Sequence, residues 1–271
     1  MNCKRPTGQA HKLLYAVASK PIALTFLERA ALNVRVTAGR HETGRRRTAR
    51  AHRGALWAGV AVVLALGVIV TVTFSASFAL EHPRSSMPIA PFAAYFLAMA
   101  VGFLAMTPLV ARSSTLDMSD VCALTAVMFL FGLGLRLTLL ASTPILEVDF
   151  NRYLWDGALT AHGFNPYAIA PADVSRLPYD DLRLELAKAS GTLFENISYP
   201  ELKTIYPPVA QATFALAYYF APWSLTAWRI ICIAADVATF ALIVALLAAC
   251  RRSPLWAVLY WWNPLVLKEL A

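Results

Sequence analysis

Charge is what this sequence has least of. Only 15% of its 271 residues are Asp, Glu, Lys or Arg, whereas 58% are hydrophobic and the mean hydropathy is +0.55. Soluble domains are about half apolar and about a quarter charged, so the composition excludes an ordinary water-soluble enzyme and points to a bilayer. Cysteine is nearly as scarce. Cys3, Cys122, Cys232 and Cys250 contain no C-x-x-C spacing and three of them fall in apolar stretches, which argues against a disulfide framework or a cysteine zinc site. The five histidines are scattered and none stands four residues from another, so a histidine metal site is not expected. Nor does the N-terminal stretch read as a normal cleavable signal: the weakly apolar stretch around Leu13 to Leu27 is interrupted by Lys20 and followed by Glu28 and Arg29. No internal repeat or low-complexity tract is present.

What charge there is lies unevenly. Residues 1–53 hold 12 of the 24 Lys and Arg but only two acids, Glu28 and Glu42, for a net +10, and the rest of the chain is −2. Arg40, Arg45, Arg46, Arg47, Arg50 and Arg53 precede an apolar stretch, as the positive-inside rule expects of a cytoplasmic flank. The same arginines would suit nucleic acid or anionic lipid, but topology already accounts for them, and no nucleic-acid partner is expected. Residues 1–54 therefore read as a basic cytoplasmic extension, mostly disordered.

A membrane-spanning helix needs about 20 apolar residues. Ala55 to Leu80, Met87 to Ala111 and Val121 to Thr143 qualify, so residues 55–143 read as three transmembrane helices. The third carries Arg136 near its far end, where it either snorkels to the interface or faces a polar site inside the bundle. Three crossings from a cytoplasmic N-terminus place residues 144–206 outside the cytoplasm. This segment carries nine acids against five bases, and connections so long are uncommon unless functional. Residues 207–271 read as further membrane helices: Pro207 to Pro222, which either spans or re-enters, Leu225 to Cys250, and an apolar run from Leu255. The expected fold is all-α, a polytopic transmembrane helix bundle with a large extracytoplasmic loop between the third and fourth membrane segments. Within the bilayer, Arg229 and Asp236 stand seven apart on one helix face, and Lys268 and Glu269 close the last run; pairing within the bundle is the simpler account of Asp236.

The loop opens on P-I-L-E-V-D-F-N-R-Y-L-W-D-G. Glu147 and Asp149 share a face only if the backbone there is extended. From Phe150 the spacing predicts a helix with Asp149, Arg152, Tyr153 and Asp156 along one polar face. The plain reading makes Asp149 an N-cap worth about 1 kcal/mol and Arg152 with Asp156 an i, i+4 pair worth a few tenths. Location favours a sharper one, because two carboxylates at the mouth of a bundle suit a general base acting on a hydroxyl. His162-Gly163 reads as a helix stop and Asn165-Pro166 as a turn. Residues Tyr199 to Pro208 return the chain to the membrane in extended form. Tyr153, Trp155, Tyr167, Tyr199 and Tyr206 suit an interfacial aromatic belt, with one or two left to stack on a sugar. Asn196-Ile197-Ser198 matches a glycosylation sequon, a triplet that arises often by chance.

Four blocks carry a resemblance: E-x-D-F-N-R-Y-L-W-D-G from Glu147, G-F-N-P-Y from Gly163, T-I-Y-P-P from Thr204, and W-N-P-L-V-L-K-E from Trp262. Together, over roughly residues 120–271, they resemble the GT-C superfamily of multi-spanning glycosyltransferases, near glycosyltransferase family 87 and polyprenyl-phosphate mannosyltransferase-like proteins of bacteria. The resemblance implies transfer of a hexose such as mannose from a polyprenyl-phosphate donor to a glycan or lipid acceptor hydroxyl, in the bacterial inner membrane. It implies that Asp149 is the catalytic carboxylate with Glu147 as its partner, although many relatives carry adjacent aspartates where this chain has Val148-Asp149. Substrate binding falls to Arg152, Tyr153, Trp155, Asp156, Asn165, Tyr167, Lys203 and Tyr206, with Arg152 or Lys203 facing the leaving phosphate. Metal use stays open at this point: a divalent ion on Glu147 and Asp149 would need phosphate oxygens and water to complete its shell. Relatives continue past the last block, so the chain reads as C-terminally truncated, and an inactive fragment of the transferase stands as an alternative to the active enzyme. Outside that resemblance stands a non-enzymatic transporter half or assembly subunit with Arg136, Arg229 and Asp236 lining a pathway.

Overall fold

The computed structural model describes residues 52, 54–78, 87–104, 106–112, 116–145 and 147–269. The basic extension expected over residues 1–54 lies almost wholly outside them. The chain divides between Leu56 and Trp57 into two units, and the second holds every described element apart from the first turn of its leading helix. No strand occurs among the described residues.

Four helices are long and apolar enough to cross a membrane: α1, Gly54–Phe78; α2, Ile89–Ala111; α3, Met118–Leu139; and, after a long interval, α7, Leu225–Ala249. Apolar composition alone makes them helical in lipid, where each backbone group must be satisfied within its own segment. Several of their hydroxyls turn inward on the helix: Thr71 and Thr73 donate to the carbonyls four residues back, and Thr125 and Thr138 do the same. Ser224 caps α7, accepting from the Ala227 amide at 3.2 Å.

The chain between α3 and α7 is a second helical body. It comprises α4, Phe150–Ala161, a 3-10 turn at Pro171–Arg176, α5, Leu182–Ala189, and α6, Pro208–Phe220. Trp155, Leu159, Val174, Leu186 and Ile197 form its own apolar core, separate from that of the bundle. Gly163 stops α4 at φ +77°, a conformation that costs glycine little, and Pro208 starts α6 at the position where a missing N–H costs nothing.

One stretch left open in the sequence takes shape here, and one expectation changes. The stretch Pro207 to Pro222 yields a helix of 13 residues, about 20 Å long against a hydrocarbon layer of about 30 Å. It packs alongside α4: Gly157 meets the Phe214 carbonyl so closely that an added Cβ would lie 2.5 Å from it, and the Tyr219 hydroxyl donates to Ala161 O at 2.8 Å. The outer flank of α6 leaves Val209, Leu216, Tyr219 and Phe220 exposed. The apolar run from Leu255 is likewise no continuous helix. It breaks into turns at Pro254–Ala257 and Val258–Trp261 and then α8, Pro264–Lys268. The cause is Asn263-Pro264: proline cannot continue a helix, and Asn263 caps a new one, its side chain accepting from the Leu265 amide at 2.9 Å.

The broken segment is nonetheless built into the bundle. The indoles of Trp261 and Trp262 donate to Phe129 O and Met128 O of α3 at 3.0 and 2.9 Å, and Trp261 lies against Gly132, where any Cβ would collide with its ring. Arg136 is fully buried. Of its two expected positions, the structure shows the one inside the bundle, where its Nε pairs with Asp236 of α7 at 2.5 Å.

Candidate functional site

The acidic pair stands where α3 gives way to α4. Asp149 occupies the N-cap position of α4, and its backbone carbonyl accepts from the Arg152 and Tyr153 amides at 2.8 and 3.0 Å. Its carboxylate makes no capping bond; it accepts instead from the Tyr206 hydroxyl at 2.9 Å. Glu147 folds back so that its Oε1 accepts from the Asp149 amide at 2.8 Å. The two acids are thus held together by the turn that starts α4, with Asp149 itself in the helical region rather than extended.

Aromatic rings close over this turn. Tyr153 stacks on Phe214 with centroids 4.9 Å apart, and Tyr206 and Trp228 pack against it at 5.0 and 5.7 Å. Burial, reinforced by its bond to Asp149, holds the Tyr206 hydroxyl well above the usual tyrosine range, so it remains a proton donor to that carboxylate. Tyr153 is pushed the same way, chiefly by burial and further by the nearby Glu147 and Asp149 charges, against the lowering effect of its bond to Tyr206. Tyr167 anchors the arrangement from the far side, donating to Tyr206 O at 2.5 Å.

A cavity of about 170 Å³ opens beside this cluster. Glu147, Phe150 and Tyr153 form one wall, Leu225, Trp228, Arg229 and Cys232 of α7 another, and Lys268 and Glu269 at the end of α8 a third. In the sequence Arg229, Lys268 and Glu269 stand out as charges in apolar surroundings, with nothing to connect them to the loop acids. Periodicity fixes the face of a helix on which a residue stands, but not which distant segment comes to meet it.

The other expected site residues have different places. Arg152 and Asp156 do form their i, i+4 pair, at 3.0 Å, but it is buried rather than solvent-facing. Arg152 also donates to Leu202 O at 2.8 Å, and Gln211 bridges Asp156 Oδ2 and Thr204 Oγ1 at 3.1 and 2.9 Å. These bonds fasten α4, the return segment and α6 to one another, which commits the Arg152 charge to the fold and not to a leaving phosphate. Burial pushes the Asp156 carboxyl up, against the bonds from Thr204, Arg152 and Gln211. Trp155 is 1% exposed and packs edge-on against Phe194 inside the second core, which leaves no face for a sugar. Asn165 serves its turn, its side chain accepting from the Tyr167 amide at 2.9 Å. Lys203 lies exposed on the return segment. Gln211, the residue on which the network turns, carries no sequence signal beyond being polar in an apolar helix.

Among the described residues no group of three or more His, Cys, Asp or Glu is gathered closely enough to hold a metal ion. A divalent cation at Glu147 and Asp149 would accordingly draw most of its oxygen ligands from substrate and water. Comparison of the chain with family models, with curated proteins and with solved structures finds no match.

Proposed function

We propose that this chain is a membrane-embedded glycosyltransferase that moves a hexosyl unit such as mannose from a polyprenyl-phosphate donor to the hydroxyl of a glycan or lipid acceptor. One observation carries the reading. Residues from three of the four motif blocks, far apart in sequence, converge on one place: Glu147 and Tyr153 from the first, Tyr206 from the third, and Lys268 and Glu269 from the last. A bundle that needed these residues only for packing would have no reason to gather carboxylates and cations around an open space lined by aromatic rings.

The reaction is a single displacement at the anomeric carbon: the acceptor oxygen bonds to it as its bond to the phosphate oxygen breaks, and polyprenyl phosphate leaves. The acidic pair supplies the base, with Asp149 accepting the proton of the acceptor hydroxyl and Glu147 beside it at the cavity wall. The bond from Tyr206 orients the Asp149 carboxylate. Tyr153 and Trp228 offer ring surface to a sugar. Transfer of labelled sugar from a polyprenyl-phosphate donor in membranes holding the full-length protein tests this. Equal rates with wild type and with Asp149→Asn would remove the catalytic assignment.

Orientation comes from counting. With the basic N-terminal segment in the cytoplasm of a bacterium, α1 to α3 place the acidic pair on the far side of the inner membrane. With α6 not spanning, α7 returns Arg251 and Arg252 to the cytoplasmic side, as the positive-inside rule asks. The Asn196-Ile197-Ser198 triplet makes a direct reporter. Translation into glycosylation-competent microsomes is expected to give a mass shift that Asn196→Gln abolishes; a loop on the other side of the membrane gives none.

The alternative of a transporter pathway lined by Arg136, Arg229 and Asp236 is disfavoured by the first and last of these being engaged with each other inside the bundle.

A further inference from the structure

Arg229 is a cation that no carboxylate among the described residues neutralises. It is 7% exposed, and it makes a single hydrogen bond to the described residues, Nη1 to Ser142 O at 2.7 Å. Among the described residues no carboxylate lies within ion-pairing distance of it. Asp236, two turns further along α7, is engaged by Arg136 Nε and by the Tyr260 hydroxyl. A guanidinium taken out of water is costly unless an anion meets it, and here nothing among the described residues does.

The cavity wall supplies a second cation. Lys268 reaches it with its side chain 26% exposed, and its one described ion pair is a loose contact of 3.4 Å to Glu269, which is itself 71% exposed at the rim. At about 170 Å³ the space is about ten times what one ordered water requires, enough for a polyatomic headgroup. Its remaining lining includes Phe150, Leu225 and Trp228, apolar surface suited to a chain attached to that headgroup.

We propose that Arg229 and Lys268 form the binding site for a phosphate group carried on an amphiphile. The planar guanidinium fork matches two phosphate oxygens, and the lysine adds a point charge. Arg229 sits in the second turn of a helix apolar enough to span; on the proposed topology that turn lies at the headgroup level, where lipid-borne phosphates are concentrated. The assignment replaces Arg152 and Lys203 as the expected phosphate partners. That this phosphate is the donor's leaving group rests on the proposed glycosyltransferase activity; the anion site itself rests on the uncompensated Arg229.

Cys232, one turn from Arg229 and in the same wall, allows a test that does not depend on turnover. The full chain with Cys3, Cys122 and Cys250 changed to serine is placed in phosphatidylcholine nanodiscs. Modification of Cys232 by a small methanethiosulfonate is then timed with and without ligand, and the ratio of the two rates cancels any effect of a substitution on the thiol itself. Farnesyl phosphate is expected to slow the reaction at least tenfold, farnesol and inorganic phosphate at equal concentration to leave it unchanged, and Arg229→Gln or Lys268→Gln to bring the ratio to one. Slowing in phosphatidylglycerol discs without added ligand, lost in Arg229→Gln, supports the site with a bilayer lipid as the source of the phosphate. Equal protection by farnesol, or by inorganic phosphate, overturns the proposal, as does undiminished protection in both variants. Lys268→Gln, a change outside the bundle core, answers the question if Arg229→Gln does not fold. Sugar transfer lost in Arg229→Gln with protection unchanged would leave the transferase standing without this site. Protection without any transfer would do the reverse.

Discussion

Two arginines of the bundle stand in similarly apolar surroundings and are treated in opposite ways. Arg136 is enclosed by partners: its Nε meets Asp236, its Nη1 donates to Gly132 O and Trp261 O at 3.0 and 2.9 Å, and its guanidinium lies 3.5 Å from the centre of the Trp261 ring. It ties α3, α7 and the C-terminal segment together. Among the described residues Arg229 has one carbonyl partner, and it borders an open cavity. The difference separates charges that the fold itself neutralises from charges left available to a ligand. Arg152 with Asp156 belongs to the first group, and Glu147 with Lys268 to the second. Removing a member of the first group should cost stability; removing a member of the second should cost activity and leave stability nearly untouched.

The largest effect is expected at Arg136. Arg136→Met strands a buried carboxylate and should lower stability by about 3–5 kcal/mol, and Asp236→Leu in the same chain should recover most of it. Urea unfolding in detergent would read both, and a double variant no better than the single one would break the contrast. Next comes Asp149→Asn, expected to cut the rate of sugar transfer by about a hundredfold, equivalent to about 2.7 kcal/mol of barrier, with an unfolding midpoint close to wild type. A smaller and opposite effect is expected at Arg229. Arg229→Met removes an uncompensated charge and should leave stability unchanged or raise it by about 1 kcal/mol, and a loss as large as that of Arg136→Met would erase the distinction.

The smallest effect is a slope. Because burial raises the Asp156 carboxyl in the folded state, the folded form holds more protons than the unfolded one between the ordinary aspartate value and the raised one. Stability from this group is therefore full below the ordinary value and falls as pH rises through that window. Thermal unfolding followed across mildly acidic pH should show the decline in wild type and a flatter profile in Asp156→Asn.

How much of this was legible in sequence depends on the range of the interaction. The four long apolar stretches, the helix from Phe150, its stop at Gly163 and the Asn165 turn all stem from local composition and backbone chemistry. The start of α6 at Pro208 does too. The Arg152–Asp156 pair was legible as a pair but not as buried, because what covers it is Gln211 and the return segment. Trp155 looked like part of an aromatic belt for the same reason; the core that encloses it is assembled from Val174, Leu186 and Ile197, each uninformative alone. The cavity was the least legible feature, since it exists only where three remote segments meet.

The outer flank of α6 has a consequence for depth. Its inner side is fixed to α4, while Val209, Leu216, Tyr219 and Phe220 face outward along a helix too short to cross. A helix of this kind comes to rest in the plane where headgroups meet acyl chains. On the proposed topology the helical body is thereby trimmed to the waterline by a float of its own, and the cavity at its foot opens at the level where phosphates already are.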